Sequence, residues 1–158
     1  MSETRHILVV DDEQEVRDTL YNVLKSLDYI PHVAASGKEA LEIIKKEPID
    51  VVLSDLYMPE MDGIELLKRV KAINSKVVFL MITAHPTIET AVDAIKKGAY
   101  DYLTKPFHIE EVRLKINRAL ERKGMASSLR TANGIIWALI ISIPLWLILG
   151  IILAKLLK

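Results

Sequence analysis

The sequence predicts an α/β fold in which helices cover both faces of a parallel sheet. Two observations carry this. His6–Val10, Ile49–Ser54 and Lys76–Ile82 are runs rich in Val, Ile and Leu with little alternation, the pattern of strands buried on both faces. Helix-length patterns then separate these runs and the weaker ones at Ile30–Ala34 and Tyr100–Leu103. Five strands in strict β/α alternation imply a doubly wound sheet.

Taken in order, the expected helices cover roughly Glu13–Leu27, Gly37–Lys46, Gly63–Lys71, Pro86–Lys97 and Ile109–Arg122. Ser36 with Glu39 makes a capping box for the second. Asp62 before Gly63 reads as a turn or cap residue for the third. Pro86 suits the first turn of the fourth, and Gly98 after Lys96 and Lys97 suits its end.

Residues 1–123 therefore form one domain, large enough to bury a core of its own. Residues 124–133 are small and polar and read as a linker. Residues 134–153, GIIWALIISIPLWLILGIIL, carry no charge and hold 13 Ile and Leu. As a helix they would span about 30 Å, the thickness of the hydrocarbon layer. A transmembrane helix is the expectation, with residues 154–158 a short basic tail. Pro144 in mid-segment and basic residues at both ends (Lys123, Arg130, Lys155, Lys158) leave a re-entrant hairpin as the alternative. The single span is preferred, because a hairpin's turn would strand polar backbone in lipid. Gly134, Ala138 and Ser142, and again Gly150 and Ala154 after a gap at Trp146, keep a four-residue spacing, which suits weak pairing of two such helices.

Composition narrows the function classes. There is no cysteine, hence no disulfide framework and no thiolate metal site. Net charge is zero, but all 21 acidic residues lie at or before Glu121, and Arg130, Lys155 and Lys158 are basic residues of the tail. The body is thus mildly acidic, which argues against a nucleic-acid surface.

The chemistry is expected at strand ends. Asp11 and Asp12 follow the first strand, Asp55 the third, Thr83 ends the fourth, and Lys105–Pro106 follow the fifth. In an open parallel sheet these ends converge on one crevice. Three carboxylates there repel one another and call for a proton or a hard cation such as Mg²⁺. Carboxylates, a cation, a hydroxyl and an ammonium together suit a phosphoryl group. Asp11 or Asp12 also reads as the cap of the first helix. His85 is expected to have no catalytic role.

The fragments VVDDE, SDLYMPEMDG, MITA and YLTKPF, in this order over about residues 5–122, resemble the receiver domain of two-component response regulators. The stretch HPTIETAVDAIKKGAYDYLTKPF most resembles receivers of enhancer-binding transcription activators. The resemblance implies a flavodoxin-like sheet of strand order 2-1-3-4-5. It implies that Asp55 is the phosphoacceptor. Asp12, Asp55 and the backbone carbonyl of Tyr57 would hold Mg²⁺ directly, and Asp11 through water. Lys105 would contact the phosphoryl oxygens, and the Lys105–Pro106 bond would be cis. Thr83 and Tyr102 would be the switch pair.

A membrane-tethered switch is therefore expected, rather than an enzyme with turnover of its own. A sensor histidine kinase or phosphotransfer protein would phosphorylate it, and an effector at the membrane or in the cytoplasm would read the face built from residues 86–122. The receiver would face the cytoplasm from the inner membrane. A phosphate sink or relay intermediate, and an inert membrane-assembly adaptor, are the alternatives. Residues 124–158 are expected to supply no effector domain or DNA-reading element, so the transcriptional role of the most similar-looking relatives is not transferred.

Overall fold

The computed structural model describes residues 4–85 and 87–121. It contains β1 (His6–Val10), α1 (Gln14–Ser26), β2 (Ile30–Ala34), α2 (Gly37–Lys46), β3 (Val51–Asp55), α3 (Gly63–Ile73), β4 (Val78–Thr83), α4 (Ile88–Lys96) and β5 (Asp101–Thr104). Residues 109–121 add a fifth helical stretch. All four strand pairs are parallel, in the order β2-β1-β3-β4-β5. The expected transmembrane segment, residues 134–153, lies outside the described residues, as do the linker and the basic tail. Among the described residues no helix is long and apolar enough to cross a membrane.

The unbroken apolar strands are explained by two cores. Leu8, Val10, Val52, Phe79 and Met81 face one way and pack with Ala40, Ile44, Leu66, Leu67 and Val70 of α2 and α3. Ile7, Val9, Val51, Leu53, Leu80 and Ile82 face the other way and pack with Leu20, Val23 and Leu24 of α1 and with Val112 and Ile116. Each fully buried Leu or Ile contributes about 1.5–3 kcal/mol. Because both sets are needed, the strands cannot alternate with polar residues.

β3, β4 and β5 each start one or two residues later than expected and end one residue later. β3 starts at Val51, because Asp50 turns its carboxylate to the His6 amide at 3.0 Å. β4 starts at Val78, because the Lys76 amide donates to the Asn74 side chain at 3.0 Å. α4 runs from Ile88, where Thr87 and Thr90 form a capping box; Pro86, expected in its first turn, lies outside the described residues. The box expected at Ser36 is shifted by one residue. Ser36 accepts from the Glu39 amide, but the Glu39 carboxylate accepts from Ala35 at 2.7 Å. Gly98, at φ 104°, closes α4 as expected. Its amide donates to Ile95, and that of Ala99 to Ala94, a Schellman arrangement.

Candidate functional site

The topology brings the predicted residues to one rim. β1 and β3 are neighbours, and the chain leaves them toward opposite edges of the sheet. A crevice therefore opens at their carboxyl ends. Asp11 and Asp12 follow β1, Asp55 is the last residue of β3, Thr83 the last of β4, and Lys105 follows β5.

Oxygens of Asp11, Asp12 and Asp55 all lie within 4.8 Å of one another. Asp11 is fully buried, Asp55 is 7% exposed, and Asp12 lies at the surface. One Asp11 oxygen accepts from the Glu13 amide at 2.9 Å, the other from Lys105 Nζ at 2.8 Å. Arg17 holds the Asp11 carbonyl at 2.6 Å. Lys105 also approaches Asp55 at 3.6 Å and Glu13 at 3.4 Å. Neither aspartate caps α1, contrary to expectation. Glu13 occupies that position without a side-chain cap, because Asp11 has turned inward to Lys105.

Burial pushes the Asp55 carboxyl above its ordinary value. Lys105 opposes this, and the Asp11 and Asp12 charges add to it. Lys105 is itself shifted upward. Burial works against its charge, but the Asp11 hydrogen bond and the Asp11 and Asp55 charges outweigh it. The three carboxylates form an all-oxygen donor set that fits a hard divalent cation. The Tyr57 side chain points to solvent and is 56% exposed.

Two residues near the acids escaped the sequence reading. Gly63 donates its amide to the Leu56 carbonyl at 2.9 Å. A Cβ built there would stand 2.4 Å from the Asp55 carbonyl oxygen. The start of α3 therefore abuts the backbone of Asp55, and Asp62 caps it by accepting from Glu65 at 2.7 Å. Glu13, read only as a helix start, adds a carboxylate beside Lys105. The Asp62–Gly63 dipeptide was a signal for the first; nothing local marks the second.

Thr83 is buried, and its hydroxyl accepts from the His85 amide at 3.2 Å. With Leu56, Met81, Thr90, Ala91, Ala94 and Tyr102 it lines a small cleft between α4 and the sheet, with ≈ 10 Å³ of free space. That is room for about one water. The Tyr102 ring is 37% exposed and lies 5.6 Å from Lys115 Nζ. The Lys105–Pro106 bond is cis, as the resemblance implied. His85 is exposed.

Comparison with known proteins agrees with this geometry. Residues 7–117 match the response regulator receiver domain. The regulatory protein AtoC of Escherichia coli is 38% identical over 130 residues, covering 82% of this chain and 28% of AtoC. NtrX from Brucella abortus, solved with ADP, superposes with a TM-score of 0.77 at 33% identity, over 80% of this chain and 29% of that one. The beryllofluoride-activated NtrC4 receiver domain dimer superposes at 0.72 with 38% identity, over 75% and 98%. The chain thus spans little more than a quarter of AtoC and of NtrX, but matches almost the whole of an isolated receiver. The acid cluster, the strand order and the match over residues 7–117 place this chain in the response regulator receiver family of two-component signalling.

Proposed function

We propose that the chain is a phosphoacceptor switch in which Asp55 takes a phosphoryl group from a sensor histidine kinase or phosphotransfer protein. The observation that carries this is the meeting of Asp11, Asp12 and Asp55 within 4.8 Å, with Lys105 2.8 Å from Asp11 and 3.6 Å from Asp55. An Asp55 oxygen attacks phosphorus, the phosphorus–nitrogen bond to the donor histidine breaks, and an acyl phosphate remains on Asp55. Asp11, Asp12, Asp55 and the Tyr57 carbonyl would hold Mg²⁺, which supplies neutralising charge to the phosphoryl oxygens. Lys105 supplies further positive charge beside Asp55, where new anionic oxygens appear.

Thr83 and Tyr102 line one cleft, and this supports a coupled switch. The Thr83 hydroxyl turns toward the phosphoryl group and leaves room for the Tyr102 ring, which now lies at the surface. Thr83→Ala is expected to accept phosphate on Asp55 but to leave the α4–β5 face unchanged. Amide NMR shifts at residues 88–104, with and without a small phosphodonor, read this. Wild-type shifts at that face in Thr83→Ala would end the switch assignment.

The output is read by protein contacts. Ile88, Val92 and Ile95 of α4 are exposed, Ile88 by 82%, and the NtrC4 receiver was solved as a dimer. Pairing of two copies and docking of an effector are both proposed for this face; no nucleic-acid contact is. A phosphate sink shares the chemistry and differs in exchanging phosphate rapidly with its kinase.

The domain organisation is receiver 1–123, linker 124–133, single membrane span 134–153 and tail 154–158, with the receiver in the cytoplasm at the inner membrane. The uncharged 20-residue run supports this. Sharing a bilayer with its partners would raise their effective concentration. A cysteine appended after Lys158 should react with an impermeant thiol reagent from outside the cell. Reaction only in inverted vesicles would replace the span with a hairpin, and recovery in the soluble fraction without detergent would defeat both.

A further inference from the structure

A second cluster of donors lies at the opposite end of the sheet. His6 begins β1, His32 stands in the middle of edge strand β2, and Glu47 caps the C-terminus of α2. The register pairs His6 with Ile30 and Leu8 with His32, so the two histidines are diagonal neighbours. Leu8, Val10 and Ala34 belong to the core under α2 and α3. By the two-residue period of a strand, His6 and His32 point to that same face. The rings stack with centroids 5.3 Å apart and an interplanar angle of 20°. Nδ1 of His6 faces Nε2 of His32 at 3.0 Å. A Glu47 carboxylate oxygen completes a set whose three donor atoms lie within 4.8 Å of one another.

We propose that His6, His32 and Glu47 form a binding site for a divalent transition-metal ion of the Zn²⁺ type, separate from the acid site. Two nitrogens on one tetrahedral ion at about 2.0–2.1 Å stand roughly 3.3 Å apart, close to the separation found here. Two imidazoles and a carboxylate suit borderline ions, whereas Mg²⁺ prefers the all-oxygen set around Asp55. With three protein donors, a water fills the fourth position.

The site is supported from behind. The His6 amide donates to Asp50 at 3.0 Å, and the Asp50 amide returns a bond to the His6 carbonyl at 2.8 Å. These bonds fix the backbone from which the His6 ring projects. Both rings are half-buried, while Glu47 is exposed, which leaves the ion an open approach. Burial, with the neighbouring His6, pushes His32 below the usual imidazole value, although Glu47 pulls it back. Asp11 lies five positions beyond His6 along the chain, about 16 Å of extended strand. A bound ion would tie the edge strand β2 and the end of α2 to β1 without touching Asp55.

Titration of the full chain in detergent micelles with ZnCl₂, under excess Mg²⁺, tests the site. Histidine is labelled with ¹⁵N, so that His6, His32, His85 and His108 report separately. The ring nitrogens of His6 and His32 are expected to shift together and saturate at one equivalent, with His85 and His108 unmoved. His32→Asn should weaken binding at least tenfold, about the least expected when a ligand itself is removed. Glu47→Gln should weaken it too, and Asp55→Asn should leave it intact. Unmoved His6 and His32 resonances would show a hydrogen-bonded pair only and overturn the site. Loss of binding in Asp55→Asn would do the same by moving the ion to the acids. The wild-type spectrum decides even if a variant does not fold.

Discussion

Gly63→Ala is expected to destabilise the receiver by about 3 kcal/mol or more. The new Cβ would meet the Asp55 carbonyl oxygen at 2.4 Å, Met81 Sδ at 2.7 Å and Leu56 Cα at 3.0 Å. A methionine tip can move; two backbone atoms cannot. Overpacking against side chains costs about 1–3 kcal/mol, and here the rigid neighbours are the backbone of Asp55 and Leu56. Either α3 swings away, uncovering Leu66, Leu67 and Val70, or β3 shifts and Asp55 moves off Lys105. Urea unfolding would show a lower midpoint with little change in slope. The surviving folded fraction should label slowly with a phosphodonor. An unchanged midpoint would mean that α3 does not abut Asp55 as described.

Lys105→Met is expected to cost roughly 2–4 kcal/mol at neutral pH, because it leaves the fully buried Asp11 carboxylate without its cation. The signs follow from linkage. The Lys105 value is raised on folding, so its contribution is fully present below the unfolded lysine value, about 10.4, and fades only as pH rises through the folded value. The Asp55 value is also raised. Its ionisation therefore weakens the fold above the unfolded aspartate value of about 3.9. Removing Lys105 removes the positive charge that favours ionised Asp55 and deepens that penalty.

The variant should therefore regain part of its loss as pH falls from neutral toward about 4, while wild type changes less. Mg²⁺ should restore stability to the variant more than to wild type, since it replaces the missing positive charge. Thermal melts across this pH window, with and without Mg²⁺, measure both. A loss that stayed constant with pH and was indifferent to Mg²⁺ would place the role of Lys105 in packing alone.

The legible parts of this chain were those with short-range causes. β1, β2 and α2 coincide with their apolar runs and caps, since nothing local competes with them. The starts of β3 and β4 moved because Asp50 and Asn74 spend side-chain oxygens on nearby amides, which periodicity does not register. The reciprocal Thr87–Thr90 bonds that begin α4 join two threonines, a pairing that the usual Ser/Thr-x-x-Glu/Gln signature does not announce.

The acid site was legible because its members sit at strand ends, and a doubly wound sheet brings such ends together. What the sequence hid was close approach between distant segments. Gly63 looked like a helix start, while its missing Cβ makes room for Asp55. Glu13 became a third carboxylate beside Lys105 only once Asp11 turned inward. The His6–His32 pair depends on a diagonal register across β1 and β2 that no motif announces.

The most direct measurement is the intact mass of the chain after incubation with a small-molecule phosphodonor and Mg²⁺, for wild type and Asp55→Asn. The account predicts a single added phosphoryl group on wild type, dependent on Mg²⁺, and none on Asp55→Asn. Label of equal extent on Asp55→Asn, or a wild-type chain that takes up none, would contradict it.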